Sequence, residues 1–376
     1  MDLTLTPEQE LIQTTAREVL RANAATAGVR AVRSGDGFSA GLWKDMIELG
    51  WPGLSIPEEF GGVGEGFLES CLLFEELGAA QVPSPLPTTT ACAEMPIDRF
   101  GTDGQRASWL TRLASGGQVT YAPAAPRQDG DAAGPIVTAI ADTDHFTLIG
   151  TADLVPFAAT ADGLLVVART GTGSTAFLVD VAQTTGITAD SQPSIGPTPY
   201  CRVRFDDVTV PVDAVLGSAG GGHEVLETAE AFGAAAACAE MVGGARRVLD
   251  MTVEHACRRR QFGKPIGTFQ AVQHHCANIA IDVLTARFIA YEAVWSLSSS
   301  PVLTDDTAMT VSSAKSWVSD AYQRVCALGH QVHGAIGFTA EHDLHLYLLH
   351  ATSSALAFGD ADTHLDRVAD ALGLPR

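Results

Sequence analysis

The stretch RRQFGKPIGTFQAVQH at 259–274 lies at the break between two long helical patterns, 223–257 and 267–298, and carries most of a basic cluster. Arg258, Arg259 and Arg260 stand together in a chain whose formal net charge is −21. That balance disfavours wholesale binding to nucleic acid or to an anionic membrane surface, whereas a local group of guanidiniums suits one small anionic ligand.

Toward the C-terminus, helical patterns continue over 304–332 and 340–357, with a turn at Ser298-Ser299-Ser300-Pro301. Four long helices of this kind bury best against one another, as a bundle. Toward the N-terminus, Gly217-Ser218-Ala219-Gly220-Gly221-Gly222 divides the bundle from a different texture. From about 118 to 217, short β-branched runs alternate with Gly, Pro and Asp, and Leu164–Ala168, Ala176–Asp180 and Cys201–Phe205 read as strands. Regular turn signals between them predict a small antiparallel barrel or sandwich.

Residues 1 to about 120 are helical again. Thr6 caps a helix with Pro7 at its first position, and Leu11, Ile12, Ala16, Val19 and Leu20 recur near helical spacing. Trp43, Met46, Ile47 and Leu49 repeat that pattern, and a glycine-rich loop at 57–64 precedes an apolar helix through Leu72, Leu73, Phe74, Leu77 and Ala80. The expected organisation is an N-terminal α-helical domain at 1–117, a middle β domain at 118–222 and a C-terminal helical bundle at 223–376.

Hydrophobic residues make up 46% and charged residues 18%, which excludes a predominantly disordered chain. No run of about 18 apolar residues predicts a membrane span. MDLTLTPEQELIQ has neither the basic nor the apolar region of a secretory signal. The seven cysteines are scattered, odd in number and without a CxxC pair, as expected of reduced thiols in a cytoplasmic protein.

The order helical, β, helical, with LGWPGLSIPEEFGGVG (49–64), VRFDDVTVPVDAVLG (203–217), RRQFGKPIGTFQAVQH (259–274) and GHQVHGAIGFTAEHDLH (329–345), resembles the acyl-CoA dehydrogenase family across nearly the whole chain. The resemblance implies FAD as cofactor and removal of two hydrogens from the α and β carbons of an acyl thioester. A carboxylate takes the α proton and therefore has to be desolvated and close. It further implies that Arg259, Gln261 and Phe262 reach across to a neighbour's FAD, Arg259 toward the diphosphate, for which a planar guanidinium is well shaped. Gln331, Gly334 and Ala335 match the second cross-subunit segment; Ala335 stands where many members have glycine.

The family's base is expected at one of two positions. Counting from Phe338 reaches Phe358, followed by Gly359; counting back from Leu249-Asp250 reaches Gly233. Neither is a carboxylate. Asp360 and Asp362 lie near the first position, and Glu227, Glu230 and Glu240 near the second; Asp360 and Glu230 are the fallback bases. The stretches matching the flavin-ring strands, Thr120-Tyr121-Ala122-Pro123-Ala124 and Leu154-Val155-Pro156-Phe157-Ala158, carry few of the expected donors.

This asymmetry resembles the non-catalytic subunit of actinobacterial heteromeric (α2β2) dehydrogenases, some acting on steroid side-chain thioesters. It implies a homologous partner that supplies the base, and an acyl-CoA substrate. The alternatives are a self-sufficient homo-oligomer with a relocated base and a non-redox thioester- or protein-binding module on the same fold. His333, His342 and His345 lack companion ligands at metal-binding spacing, so no metal is expected.

Overall fold

A computed structural model describes residues 4–23, 37–122 and 137–374. The chain opens with α1 (Pro7–Asn23), capped as the sequence predicts: Gln9 N donates to Thr6 Oγ1 at 3.2 Å and Gln9 Oε1 accepts from Thr6 N at 3.0 Å. Helix α2 (Ala40–Glu48) begins at Ser39, whose hydroxyl accepts from Leu42 N. Helix α3 (Phe67–Ala80) is buried nearly all round, including Glu75 and Glu76. A helical run then continues through α4 (Leu86–Thr89), a π-helical turn (Thr90–Glu94) and α5 (Met95–Phe100), followed by α6 (Asp103–Ala114) with a Thr102–Gln105 capping box.

The β layer comprises β1 (Val119–Ala122), β2 (Val137–Ala141), β3 (His145–Pro156), β4 (Gly163–Thr170), β5 (Gly173–Asp180), β6 (Ile187–Gln192), β7 (Tyr200–Pro211) and β8 (Val215–Leu216). The strand order is β6-β7-β3-β2-β4-β5-β8, with β1 also on β4. Most pairings are antiparallel, as expected, but β1 and β2 both join β4 in parallel, so the sheet is mixed. The two lie end to end along one edge of β4, β1 at Gly163–Val166 and β2 at Ala168–Arg169. Residue alternation carries no sign of strand direction, so the parallel pairs could not be anticipated. The unbroken apolar run Leu164–Ala168 is the mark of a strand covered on both faces. Leu165 and Val167 join the core shared with the helices, while Leu164 and Val166 join the core within the β layer.

The C-terminal half holds α7 (Gly222–Arg258), a short β9/β10 hairpin (Arg260–Gln261, Lys264–Pro265), α8 (Gln270–Ser299), α9 (Asp305–His333), α10 (Leu344–Leu356) and α11 (Ala361–Ala371). The four predicted helices are present and a fifth, α11, follows them. Helix α7 is the spine, packing against α3, α8 and α9. Its contact with α3 is backbone-close at two glycines. A Cβ on Gly78 would come within 2.6 Å of the Glu240 carbonyl carbon, and one on Gly243 within 2.7 Å of that of Glu75. Beside this crossing, Glu75 accepts from Tyr291 Oη at 2.7 Å, and Glu76 is shared by Arg17 and Arg246 at 2.8 and 2.7 Å.

Candidate functional site

Gly233 lies in the buried middle of α7, and Phe358 follows α10 in the turn before α11. Although far apart in sequence, they face each other: a Cβ on Gly233 would come within 2.6 Å of Phe358 Cζ and 2.9 Å of Cys92 Sγ. Cys92 sits in the π-helical turn and is fully buried. The Phe358 ring stacks on Tyr121 with centroids 6.1 Å apart at 16°. The two positions where a base is expected therefore converge on one point, and that point is apolar.

The backbone that aims Phe358 is held from below. Phe358 has φ +60° and Gly359 φ +99°, a left-handed pair that is strained for a phenylalanine. Lys315, fully buried on α9, donates from Nζ to the carbonyls of Ala355 at 3.1 Å and Gly359 at 3.0 Å, and to Ser319 Oγ at 3.0 Å. His364 Nε2 bonds the Phe358 carbonyl at 3.0 Å. Burial pulls the Lys315 ammonium down to about 8 and the His364 imidazole to about 3, so His364 is neutral at physiological pH. A lysine among small residues in the middle of a helix reads as a surface cation, so no local pattern announces this clamp.

The two fallback acids stand in different surroundings. Asp360 is the exposed N-cap of α11, accepting from Thr363 N at 2.8 Å, and its hydrogen bonds from Thr363 hold its carboxyl below the usual range. An acid so stabilised as its anion is a poor proton acceptor. Glu230 lies one helical turn before Gly233 and faces Arg367 at 3.4 Å; burial raises its carboxyl above the usual range, against the opposing pull of Arg367. Glu227 pairs with His223 on the exposed side of α7, Asp362 lies exposed in the first turn of α11, and burial lifts Glu240 to about 8 at the α3 crossing. The turn at Cys92 ends in a further buried acid, Glu94. It accepts from Ser55 Oγ at 2.6 Å, and burial raises it to about 8.

At the far end of α7 the surroundings change. Gly233 and Arg259 are 26 residues apart, about 39 Å along a helix. Here Arg258 pairs with Glu254 at 2.6 Å and Arg260 donates to the Gly263 carbonyl at 2.9 Å. The Arg259 guanidinium is exposed and has no hydrogen bond or ion pair among the described residues. Gln261 is exposed, and Phe262 is 91% exposed at φ +53°. His255 stacks on His333 with centroids 4.4 Å apart, bringing the end of α7 beside the end of α9. Gln331, Gly334 (φ +67°) and Ala335 are exposed there. The two sequence segments thus share one end of the bundle, apart from Phe358 and Gly233. Burial depresses both histidines, His333 to about 4, so the positive charge at this end comes from its exposed arginines and Lys264, Arg259 among them. Among the described residues, no group of three or more His, Cys, Asp or Glu has a metal-holding arrangement. No described helix is long and apolar enough to cross a membrane.

These residues fit FAD unevenly. The exposed end fits the diphosphate and adenosine portion, with a guanidinium, an aromatic face and a turn open to close approach. The β layer gives little to a flavin ring: Thr120 donates its hydroxyl to the Pro156 carbonyl at 2.6 Å, and Val155, Phe157 and Ala158 are buried. Pro123 and Ala124 lie outside the described residues.

The chain matches the acyl-CoA dehydrogenase N-terminal domain over 6–117 and the C-terminal domain over 220–373. It is 30% identical over 366 residues to the acyl-CoA dehydrogenase IpdE2 of Mycolicibacterium smegmatis, covering 97% of this chain and 98% of that protein. Among solved structures it superposes on a variant of the Tcur3481-Tcur3483 steroid acyl-CoA dehydrogenase with a TM-score of 0.88 at 30% identity, covering 98% of this chain and 99% of the other. The ChsE4-ChsE5 complex from Mycobacterium tuberculosis gives a TM-score of 0.90 at 27% identity, with both chains covered in full. By fold, by matched segments and by relatives of the same length, the chain belongs to the acyl-CoA dehydrogenases, flavoenzymes whose cofactor is FAD.

Proposed function

We propose that this chain is the partner subunit of a heteromeric acyl-CoA dehydrogenase: it completes the neighbour's FAD site, and the neighbour supplies the base. The observation that carries this reading is the contact of Phe358 with Gly233. Both positions that place a carboxylate at the substrate's α carbon meet there, and neither side chain accepts a proton. Arg259, Gln261 and Phe262 with Gln331, Gly334 and Ala335 would hold the diphosphate and adenosine end of a neighbour's FAD. The flavin supplies hydride acceptance when bound. This chain's own residues contribute charge, orientation and exclusion of water. The separation of about 39 Å along α7 between Gly233 and Arg259 supports service to a neighbouring site. The likeness to two-component assemblies supports a homologous neighbour. The likeness to the steroid dehydrogenase favours a bulky acyl thioester as the complex's substrate.

A second reading, a self-sufficient enzyme based on Glu230, is favoured by the raised carboxyl of Glu230 one turn from Gly233. The two part on turnover of the assembled enzyme. Glu230→Gln and Asp360→Ala leave acyl-CoA turnover within about twofold under the partner-subunit reading. Loss of several orders of magnitude with Glu230→Gln would replace it with the second.

A further inference from the structure

A cavity of about 590 Å³ lies between α1, α3, α7 and the start of α10, apart from the two ends of α7 described above. Four guanidiniums line it, Arg17 and Arg21 from α1 and Arg246 and Arg247 from α7. Arg246 is 13 residues from Gly233 and 13 from Arg259, about 20 Å along the helix in either direction. We propose that this cavity binds a small, multiply charged oxyanion, phosphate- or carboxylate-bearing, at a site separate from the FAD contact at Arg259.

Glu76 organises the site. It is 3% exposed, and its carboxylate accepts from Nε and Nη2 of Arg17 at 3.1 and 2.8 Å and from Nη2 of Arg246 at 2.7 Å. One carboxylate does not neutralise two guanidiniums. The adjacent buried Glu75 is shared in turn between Arg246 at 3.6 Å and Arg287 at 3.7 Å. These three arginines and two glutamates carry one net positive charge, on side chains that have lost much of their water. A charge so placed is best compensated by an anion. Glu76 also fixes guanidiniums from two helices before any ligand arrives, which lowers the ordering cost of binding. Nη1 of Arg17 and of Arg246 has no hydrogen bond among the described residues. Arg21 and Arg247 are exposed at the rim, and the wall's two aspartates, Asp250 and Asp343, match them in number. The excess at Glu76 therefore remains, in a chain whose net charge is −21. Guanidinium forks on two helices suit an oxyanion with several charged oxygens, and the volume falls within the range of small-molecule sites.

The test is isothermal titration calorimetry of the full chain with pyrophosphate and, separately, with citrate, at constant ionic strength. The expected result is about one anion bound per chain, with the two probes competing; the tighter of them tells a phosphate from a carboxylate ligand. Arg21→Gln and Arg247→Gln remove exposed side chains and are each expected to weaken binding about 10- to 100-fold, Arg21→Lys by less. Ala80→Phe fills the cavity without removing charge, and in the folded variant it abolishes binding. Arg259→Gln leaves the affinity unchanged. Absence of binding by both probes overturns the site, as does binding indifferent to Arg21→Gln and Arg247→Gln. Binding retained in Ala80→Phe, or lost in Arg259→Gln, overturns its placement in this cavity. The partner-subunit reading is decided by where FAD binds, so the two fail separately.

Discussion

The ring of Phe358 rests on the backbone of Gly233, with Cζ 2.6 Å from where a Cβ would stand. Each residue is therefore a condition for the other. Gly233→Ala overpacks this point and is expected to cost about 1–3 kcal/mol, several degrees or less in Tm for a chain this long. In Phe358→Ala the same change costs less, with the contact to Cys92 Sγ at 2.9 Å remaining. A double-mutant cycle by thermal or urea unfolding measures the coupling, and additivity of the two changes would show that the ring is not seated there.

Lys315→Met removes the donor for two backbone carbonyls and a hydroxyl while filling similar volume. Leaving those acceptors unmet costs about 1–3 kcal/mol each, offset by the lower cost of burying an apolar side chain. A net loss of about 2–4 kcal/mol in urea unfolding is expected, together with faster amide exchange across the 355–360 turn. Loss of stability without any change in exchange there would make Lys315 a general core residue.

Asp360 is a helix cap in this structure, so Asp360→Ala is expected to lower stability by about 1 kcal/mol, and Asp360→Asn by less. Neither changes acyl-CoA turnover of the assembled enzyme. Equal stability combined with lost turnover would contradict the assignment.

Burial raises Glu94 to about 8, and its Oε2 has no partner among the described residues. Between the ordinary carboxylate range and pH 8 the folded chain holds a proton here that the unfolded chain has released. Stability therefore falls as pH rises from about 4.5 to 8. Glu94→Gln removes that part of the slope, and its stability relative to wild type increases toward pH 8, by at most about 5 kcal/mol. Glu240, raised to a similar value, contributes a slope of its own that remains. Parallel Tm–pH profiles for wild type and Glu94→Gln would show that Glu94 is ionised in the fold.

Much of this was legible in the sequence. Helical spacing and the Thr6-Pro7 start located α1, and the long patterns after Gly222 located the bundle. Counting along the chain led to Phe358 and Gly233, which the fold brings together. What could not be read was relation in space. Strand patterns carried no direction for β1 and β2, which are parallel to β4. Lys315 is indistinguishable in sequence from a surface lysine, since its burial depends on α10 and α11 closing over it. The meeting of Phe358, Gly233, Cys92 and Tyr121 joins four elements, and no local pattern encodes such a junction.

Arg259 lies just past the C-terminal end of α7, about 39 Å along the helix from Gly233, so under the partner-subunit account the FAD content of the assembled enzyme depends on this chain. Arg259→Gln in the complex is expected to weaken FAD binding about 10- to 100-fold, as loss of a charge-assisted contact does. Phe262→Ala has a smaller effect. The central claim is tested most directly by the visible flavin spectrum of this chain purified alone and then co-purified with a homologous partner. The account predicts a colourless chain alone and about one FAD per pair in the complex, bleached by acyl-CoA. A chain that alone holds about one FAD and is bleached by acyl-CoA without any partner would contradict it.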